Sequence, residues 1–322
     1  MAGFRGQAVL IALAMAACSS TAETSAPTTV VATPAASQPA ATAPPASPSS
    51  PTTTTAVLTS LPIGDGRRST APESGAVFAC QTTFGPAGGA FRDGPWIRSD
   101  GTWDPSAKLH VQGDVRWPNA QFSSSVQGAI RAITTNGVPA NVGTGTFPVD
   151  AADPAYQYDR NPNTITPRVT TYTVPAAPAA AAAPSCVNMG AIGVLLDGVA
   201  LFNALDAQGR DAAAHEILDT CDGHPERTGQ YHRHTVPSPS CLLAQRREPS
   251  TLVGYALDGF GIFVERHPDG RLLTNADLDG CHGRTSPVAW DGATAPVPMY
   301  HYVATLEYPY TVGCFKGAPT RG

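Results

Sequence analysis

Hydrophobic and polar positions divide this chain into three regimes. Residues Ala8 to Ala17 are all small or apolar, with Arg5 the only charge before them and Cys18 directly after. That order of charge, apolar run and small residues is the layout of a secretory signal. The run is shorter than the roughly 20 apolar residues that a comfortable membrane span needs. From Ser19 to residue 71, Thr, Ala, Pro and Ser dominate and large apolar side chains nearly vanish. Such a segment buries too little surface to offset its ordering entropy, so a disordered linker is expected. From Pro72 to Gly322 short apolar runs alternate with turn residues, and a fold is expected there.

Within that region the last third repeats itself. Gly193 to Phe202 aligns with Gly254 to Phe263, each an apolar run broken by Asp-Gly at Asp197-Gly198 and Asp258-Gly259. Asp-Gly between apolar runs is the signal of a two-residue type I′ hairpin with positive φ at both positions. Asp197 and Asp258 are therefore read as turn residues rather than catalytic carboxylates. Each copy continues through a loop, a Cys-x-Gly segment, a His-containing strand and a further Cys. Two such β-meanders are expected to pack about a pseudo-twofold axis. Between Cys80 and Pro175 the aromatics Trp96, Trp103, Trp117, Phe122, Phe147 and Tyr172 recur between turn signals such as Asp93-Gly94-Pro95 and Asn161-Pro162-Asn163. That spacing indicates short strands, with one short helix expected over Ser125–Ala132. The predicted class is all-β, mainly antiparallel and sandwich- or barrel-like, with little helix. The expected organisation is a signal over 1–18, a linker over 19–71 and a β domain over 72–322, the last split into 72–185 and the duplicated 186–322.

Charge narrows the partners. The net charge is −5, only 14% of residues are charged, and Lys occurs only at Lys108 and Lys316. No basic stripe offers itself to a nucleic acid. Cysteine usage fits export. Apart from Cys18 there are six, Cys80, Cys186, Cys221, Cys241, Cys281 and Cys314, and six cysteines in an oxidising compartment read as three disulfides. Local closure within each copy pairs Cys221 with Cys241 and Cys281 with Cys314, leaving Cys80 for Cys186. Met15-Ala16-Ala17-Cys18 is similar to a bacterial lipobox, which implies lipidation of Cys18 and a membrane tether; plain secretion is the alternative.

Five of the eight histidines fall in two stretches of the repeat, Cys221-Asp222-Gly223-His224 with Tyr231-His232-Arg233-His234, and Cys281-His282-Gly283-Arg284 with Tyr300-His301-Tyr302-Val303. In a strand His232 and His234 share one face and Tyr231 and Arg233 the other. Their Cα atoms then lie about 6.5 Å apart, a spacing from which two imidazoles can converge on one ion. His224 arrives from the preceding segment as a third ligand, with Asp222 beside it. Neutral imidazoles suit zinc or copper.

These segments, with Leu196-Asp197-Gly198-Val199-Ala200-Leu201-Phe202 and Tyr308-Pro309-Tyr310-Thr311-Val312-Gly313-Cys314, resemble the bacterial YHYH family, named for a Tyr-His-Tyr-His motif. The resemblance implies an exported protein and brings no activity with it. Three departures stand out. Arg233 replaces the second tyrosine of the motif, Val303 replaces the last histidine in the second copy, and Arg284 stands where the first copy has His224.

Three functions are compatible with this reading. The first is an extracytoplasmic (lipo)protein binding a divalent metal, Zn or Cu, through His224, His232 and His234, with His301 completing the set across the pseudo-twofold. The second is a metal-dependent hydrolase with Asp222 or Glu226 as base; Tyr231, Tyr300 and His282 are supporting candidates around either site. The third is a cell-surface carbohydrate-binding or structural module using Trp96, Trp103, Tyr231, Tyr300 and Tyr302 as platforms.

Overall fold

The computed structural model of the protein describes residues 60–86, 88–236, 241, 249–291 and 293–320. The signal segment, Cys18 and the linker as far as residue 59 lie outside the described residues. The chain is all-β. Four short strands, β1 (Leu61–Pro62), β2 (Arg68–Ser69), β3 (Val77–Phe78) and β4 (Thr102–Trp103), make two small sheets. The strands β1 and β2 fall in the stretch that composition assigns to the linker. Leu61 is buried against Trp103, its register partner, so the apolar pair Leu61 and Ile63 anchors a segment that otherwise reads as polar.

The next three strands, β5 (Phe122–Gln127), β6 (Ile130–Thr135) and β7 (Thr170–Pro175), form an antiparallel sheet. They correct the short helix expected over Ser125–Ala132. Gly128, at φ 60°, turns the chain between β5 and β6. On β6 the buried positions Arg131, Ile133 and Thr135 alternate with less buried ones, the period of a strand.

The remaining strands are β8 (Ala191–Leu195), β9 (Ala200–Phe202), β10 (Gly223–Pro225), β11 (Tyr231–Arg233), β12 (Ser250–Ala256), β13 (Gly261–Glu265), β14 (Gly283–Val288) and β15 (Val297–Ala304). They build one eight-stranded sheet in the order β10-β11-β9-β8-β12-β13-β15-β14. The order is a palindrome, so the two sequence copies are its two halves. At the centre β8 and β12 run antiparallel, Gly193 opposite Ala256 and Leu195 opposite Gly254. Equivalent residues of the two copies thus exchange places across a local twofold. Both need glycine there. A Cβ on Gly193 would come within 2.6 Å of the Tyr255 carbonyl oxygen, and one on Gly254 within 2.6 Å of that of Val194.

Each half is two hairpins joined by a parallel pair, β9–β11 in one and β13–β15 in the other, rather than the expected meander. The cause is the long return between the hairpins, which carries the one-turn helix α1 (Ala212–His215) and brings β11 back running alongside β9. The Asp-Gly tips also differ from type I′. Only Gly198 (φ 94°) and Gly259 (φ 88°) have positive φ, and the amide of Gly198 donates to Leu195 O while that of Leu195 donates to Val199 O. That is a type I turn closed by a glycine bulge.

Disulfides join Cys80 to Cys186, Cys221 to Cys241 and Cys281 to Cys314. Loops of 20 and 33 residues closed in this way contribute about 3 to 4 kcal/mol each in the chain-entropy treatment. Four of the five aromatic platforms are core residues, and Tyr300 is half-buried against them. Trp96, Trp103, Tyr231 and Tyr302 are all buried, which removes them from carbohydrate recognition.

Candidate metal centre

The hairpin β10–β11 places His224 opposite His232 in register. His232 and His234 are two residues apart on one face, so all three rings meet. Their Nε2 atoms form a chain, 3.0 Å from His224 to His232 and 3.1 Å from His232 to His234. The ligand atoms of the three lie within 4.8 Å of one another, and all three side chains are buried. Phe202, at the end of the neighbouring β9, stacks on the His232 ring at 3.9 Å between centroids.

The other ring nitrogens show which tautomers are present. Nδ1 of His234 lies 2.5 Å from Asn203 O, and Nδ1 of His232 lies 3.2 Å from Gln230 O. A carbonyl oxygen only accepts, so both Nδ1 atoms carry the proton and both Nε2 atoms present a bare lone pair. Two such lone pairs facing each other at 3.1 Å repel unless a cation lies between them. This is the arrangement by which a second hydrogen bond orients a metal-binding histidine. His224 is held more loosely, its Nδ1 3.4 Å from Asn161 Nδ2, which also donates to Pro225 O at 3.0 Å.

A carboxylate absent from the sequence-derived candidates belongs here. Oε2 of Glu216 lies 3.1 Å from Nε2 of His234 and 3.3 Å from Nε2 of His224. It is buried and makes no aligned hydrogen bond. Glu216 follows α1, whose N-terminus is capped by Asp211. Its neighbour His215 is clamped on both sides, 2.9 Å from Asp65 and 2.9 Å from Asp93. Trp96 Nε1 donates to Ala214 O at 2.8 Å. These contacts hold the segment in place.

Charges in the cluster are interdependent. Burial would raise the Glu216 carboxyl, yet the His224 imidazole beside it outweighs that and holds the group well below its ordinary value. Burial opposes charge on His224, and the Glu216 carboxylate beside it overcomes that and raises its pKa. His232 is pushed well below its ordinary value by burial and by the two neighbouring imidazoles. Without a metal, the cluster therefore favours a proton on His224 over one on His232.

The cluster lies at one side of a cleft of about 670 Å³, bordered also by Asp159, Asn161, Phe202, Asp206 and Arg227. The donor set suits a divalent ion: neutral imidazoles with Nε2 exposed, an unsatisfied carboxylate oxygen, and no thiolate, since all six cysteines of the fold are in disulfides.

Other expected site residues lie elsewhere. His301 is on the opposite half of the sheet, its Nε2 3.2 Å from Glu265 Oε1, and does not complete the set. Asp222 sits in the turn before β10 with φ 57°, and its electrostatic neighbours are His110 and Lys108 rather than the three imidazoles. Glu226 borders the cleft, but its Oε1 accepts from the amides of Thr228 and Gln230, so it caps a tight turn. Tyr231 points to the other face and donates to Asp219 at 2.8 Å. Tyr300 does the same to Asp279 at 3.0 Å. His282 matches Asp222 in the second copy, bonds Thr305 at 3.0 Å, and is kept neutral by burial, which pushes it down to about 3.

The second half retains the scaffold of the site but only one of its three imidazoles. Arg284 stands opposite His301 as His224 stands opposite His232. His301 Nδ1 meets Met299 O at 3.0 Å, repeating the contact of His232 with Gln230 O. Phe263 meets the His301 ring edge-on at 5.0 Å between centroids, at the position where Phe202 stacks on His232. Residues 171–271 match the model of the YHYH protein family and constitute a YHYH domain. The match contains the three clustered histidines and Glu216 and ends before β14. No curated protein and no solved structure matches the chain.

Proposed function

We propose that this is an extracytoplasmic protein that binds one divalent transition metal ion, zinc or copper, through Nε2 of His224, His232 and His234. The observation that carries the reading is the convergence of three buried Nε2 atoms, two of them fixed as lone-pair donors by Nδ1–H contacts to Asn203 and Gln230 carbonyls. The apolar run ahead of Cys18 and the three disulfides support export. Lipidation of Cys18 would tether the domain to a membrane surface.

Roles divide simply among the residues. His232 and His234 are preorganised ligands. His224 supplies the third donor from the facing strand. Phe202 fixes the His232 ring and excludes water from one side. The cleft gives the ion an entry path. The hydrolase reading loses both of its base candidates, because Asp222 is away from the imidazoles and Glu226 is occupied by its own turn, so binding is favoured over hydrolysis. Elemental analysis of protein purified without chelator tests the proposal. One equivalent of metal is expected in the wild type, and the His232→Ala and His234→Ala variants, each one donor short, should lose most of it on purification. Metal content that survives both substitutions would refute it.

A further inference from the structure

Four donor atoms, not three, surround the space between these imidazoles. Taken in order, His224 Nε2, His232 Nε2, His234 Nε2 and Glu216 Oε2 form a closed ring with sides of 3.0, 3.1, 3.1 and 3.3 Å. Ligands about 2.1 Å from an ion stand about 3.0 Å apart at right angles and about 3.4 Å apart at tetrahedral corners. Three of the four sides are nearer the right-angle value. The diagonal is decisive. Among the described residues Glu216 pairs with His224 and His234 but not with His232, whereas a tetrahedron brings every donor equally close to every other. His232 and Glu216 are opposite corners of the ring.

We propose that Glu216 is the fourth ligand and that the centre is a tetragonal N3O site, built for copper(II) rather than for a tetrahedral zinc ion. This rests on the metal-binding reading above and adds the oxygen donor, the shape and the ion. A square or tetragonal set of nitrogen and oxygen ligands is the preference of copper(II) and nickel(II), and copper binds such donors more tightly. Glu216 Oε2 faces two of the three Nε2 atoms at once, 3.1 Å from His234 and 3.3 Å from His224, and has no further partner among the described residues. The carboxylate also removes one unit of charge from an ion held by neutral rings in a buried place, where uncompensated charge is costly. The supports already described, from Asp65, Asp93 and Trp96, hold the segment that presents this oxygen.

The test loads the full chain with copper(II) alone and reads its electron paramagnetic resonance spectrum together with the affinity. The wild type should take one equivalent and give an axial, tetragonal spectrum with splitting from three nitrogens. Glu216→Gln should weaken binding by more than about 100-fold, beyond the roughly 10–100-fold typical of outer-shell changes, and should alter the spectrum. Glu216→His should restore affinity and add a fourth nitrogen. Near-ultraviolet circular dichroism of the metal-free variants checks the fold, and the wild-type spectrum decides the geometry even if a variant fails to fold. A near-tetrahedral wild-type spectrum, or a Glu216→Gln variant with unchanged affinity and spectrum, overturns this inference and leaves the metal-binding reading standing. A wild-type chain that takes up no copper overturns the inference, and failure with zinc as well overturns both.

Discussion

Arg233 and Asp197 form a buried ion pair, Nη1 to Oδ2 at 2.7 Å, at the place where the second copy joins Tyr302 to Asp258 at 2.6 Å. The departure from the Tyr-His-Tyr-His motif is thus compensated locally. The hairpin-tip aspartate is kept in both copies, and the donor facing it changes from a phenol to a guanidinium. Arg233 also donates through Nε to Cys221 O at 2.8 Å, which ties the motif strand to the disulfide beside it.

Removing this donor leaves Asp197 charged and unpaired. Arg233→Leu should cost about 3–5 kcal/mol, the usual penalty for breaking a buried pair. Arg233→Tyr should recover most of that by copying the Tyr302–Asp258 bond. Urea denaturation of the three proteins checks both, and equal losses for Leu and Tyr would count against the equivalence.

The local twofold makes a second stability prediction. Gly193→Ala and Gly254→Ala each push a methyl into a carbonyl oxygen of the facing strand, and overpacking of this kind costs about 1–3 kcal/mol. The two losses should be similar, because the environments are related by symmetry. Thermal unfolding of each variant measures this.

The cluster's pKa shifts set a pH profile for the metal-free chain. His224 is raised, so its contribution is complete below the ordinary imidazole value and is lost as pH climbs through the raised one. His232 is depressed, so stability falls as pH drops below the ordinary value of about 6.5. Glu216 is depressed too, and its contribution fades as pH falls below its ordinary value of about 4.5. The cluster therefore favours a stability maximum near pH 6.5. His215, also raised, adds to the alkaline limb, so the difference between wild type and His224→Gln isolates the cluster. Bound metal displaces the His224 proton and should abolish that limb in melting curves.

The second half offers a constructive test. It keeps the oriented His301, the flanking Phe263 and the carboxylate of Glu265, with Arg284 lying 3.7 Å from that carboxylate. Arg284 occupies the register position from which His224 donates in the first half. The double substitution Arg284→His and Val303→His should raise the metal content from one equivalent to two, measured by elemental analysis. A stoichiometry that stays at one would show that the halves differ in more than their donors.

Much of this was legible in the chain, and the failures have physical causes. Alternation in a strand put His232 and His234 on one face and Tyr231 and Arg233 on the other. The internal repeat indicated which cysteines close which loop. Glu216 was hidden because it precedes His224 across a loop, and the fold, not local spacing, brings the two together. His301 was assigned to the first site because symmetry makes it equivalent to His232; that same symmetry keeps it in the other half of the sheet. The β5–β6 hairpin was misread because Ser123, Ser124 and Ser125 give no apolar alternation on the exposed strand.

X-ray absorption at the metal edge of the loaded protein is the most direct measurement of the central claim. The account predicts a first shell of nitrogen and oxygen at about 2.0–2.1 Å, with outer-shell scattering from three imidazole rings that drops to two in His232→Ala. A shell without imidazole scattering, or one unchanged by that substitution, would contradict it.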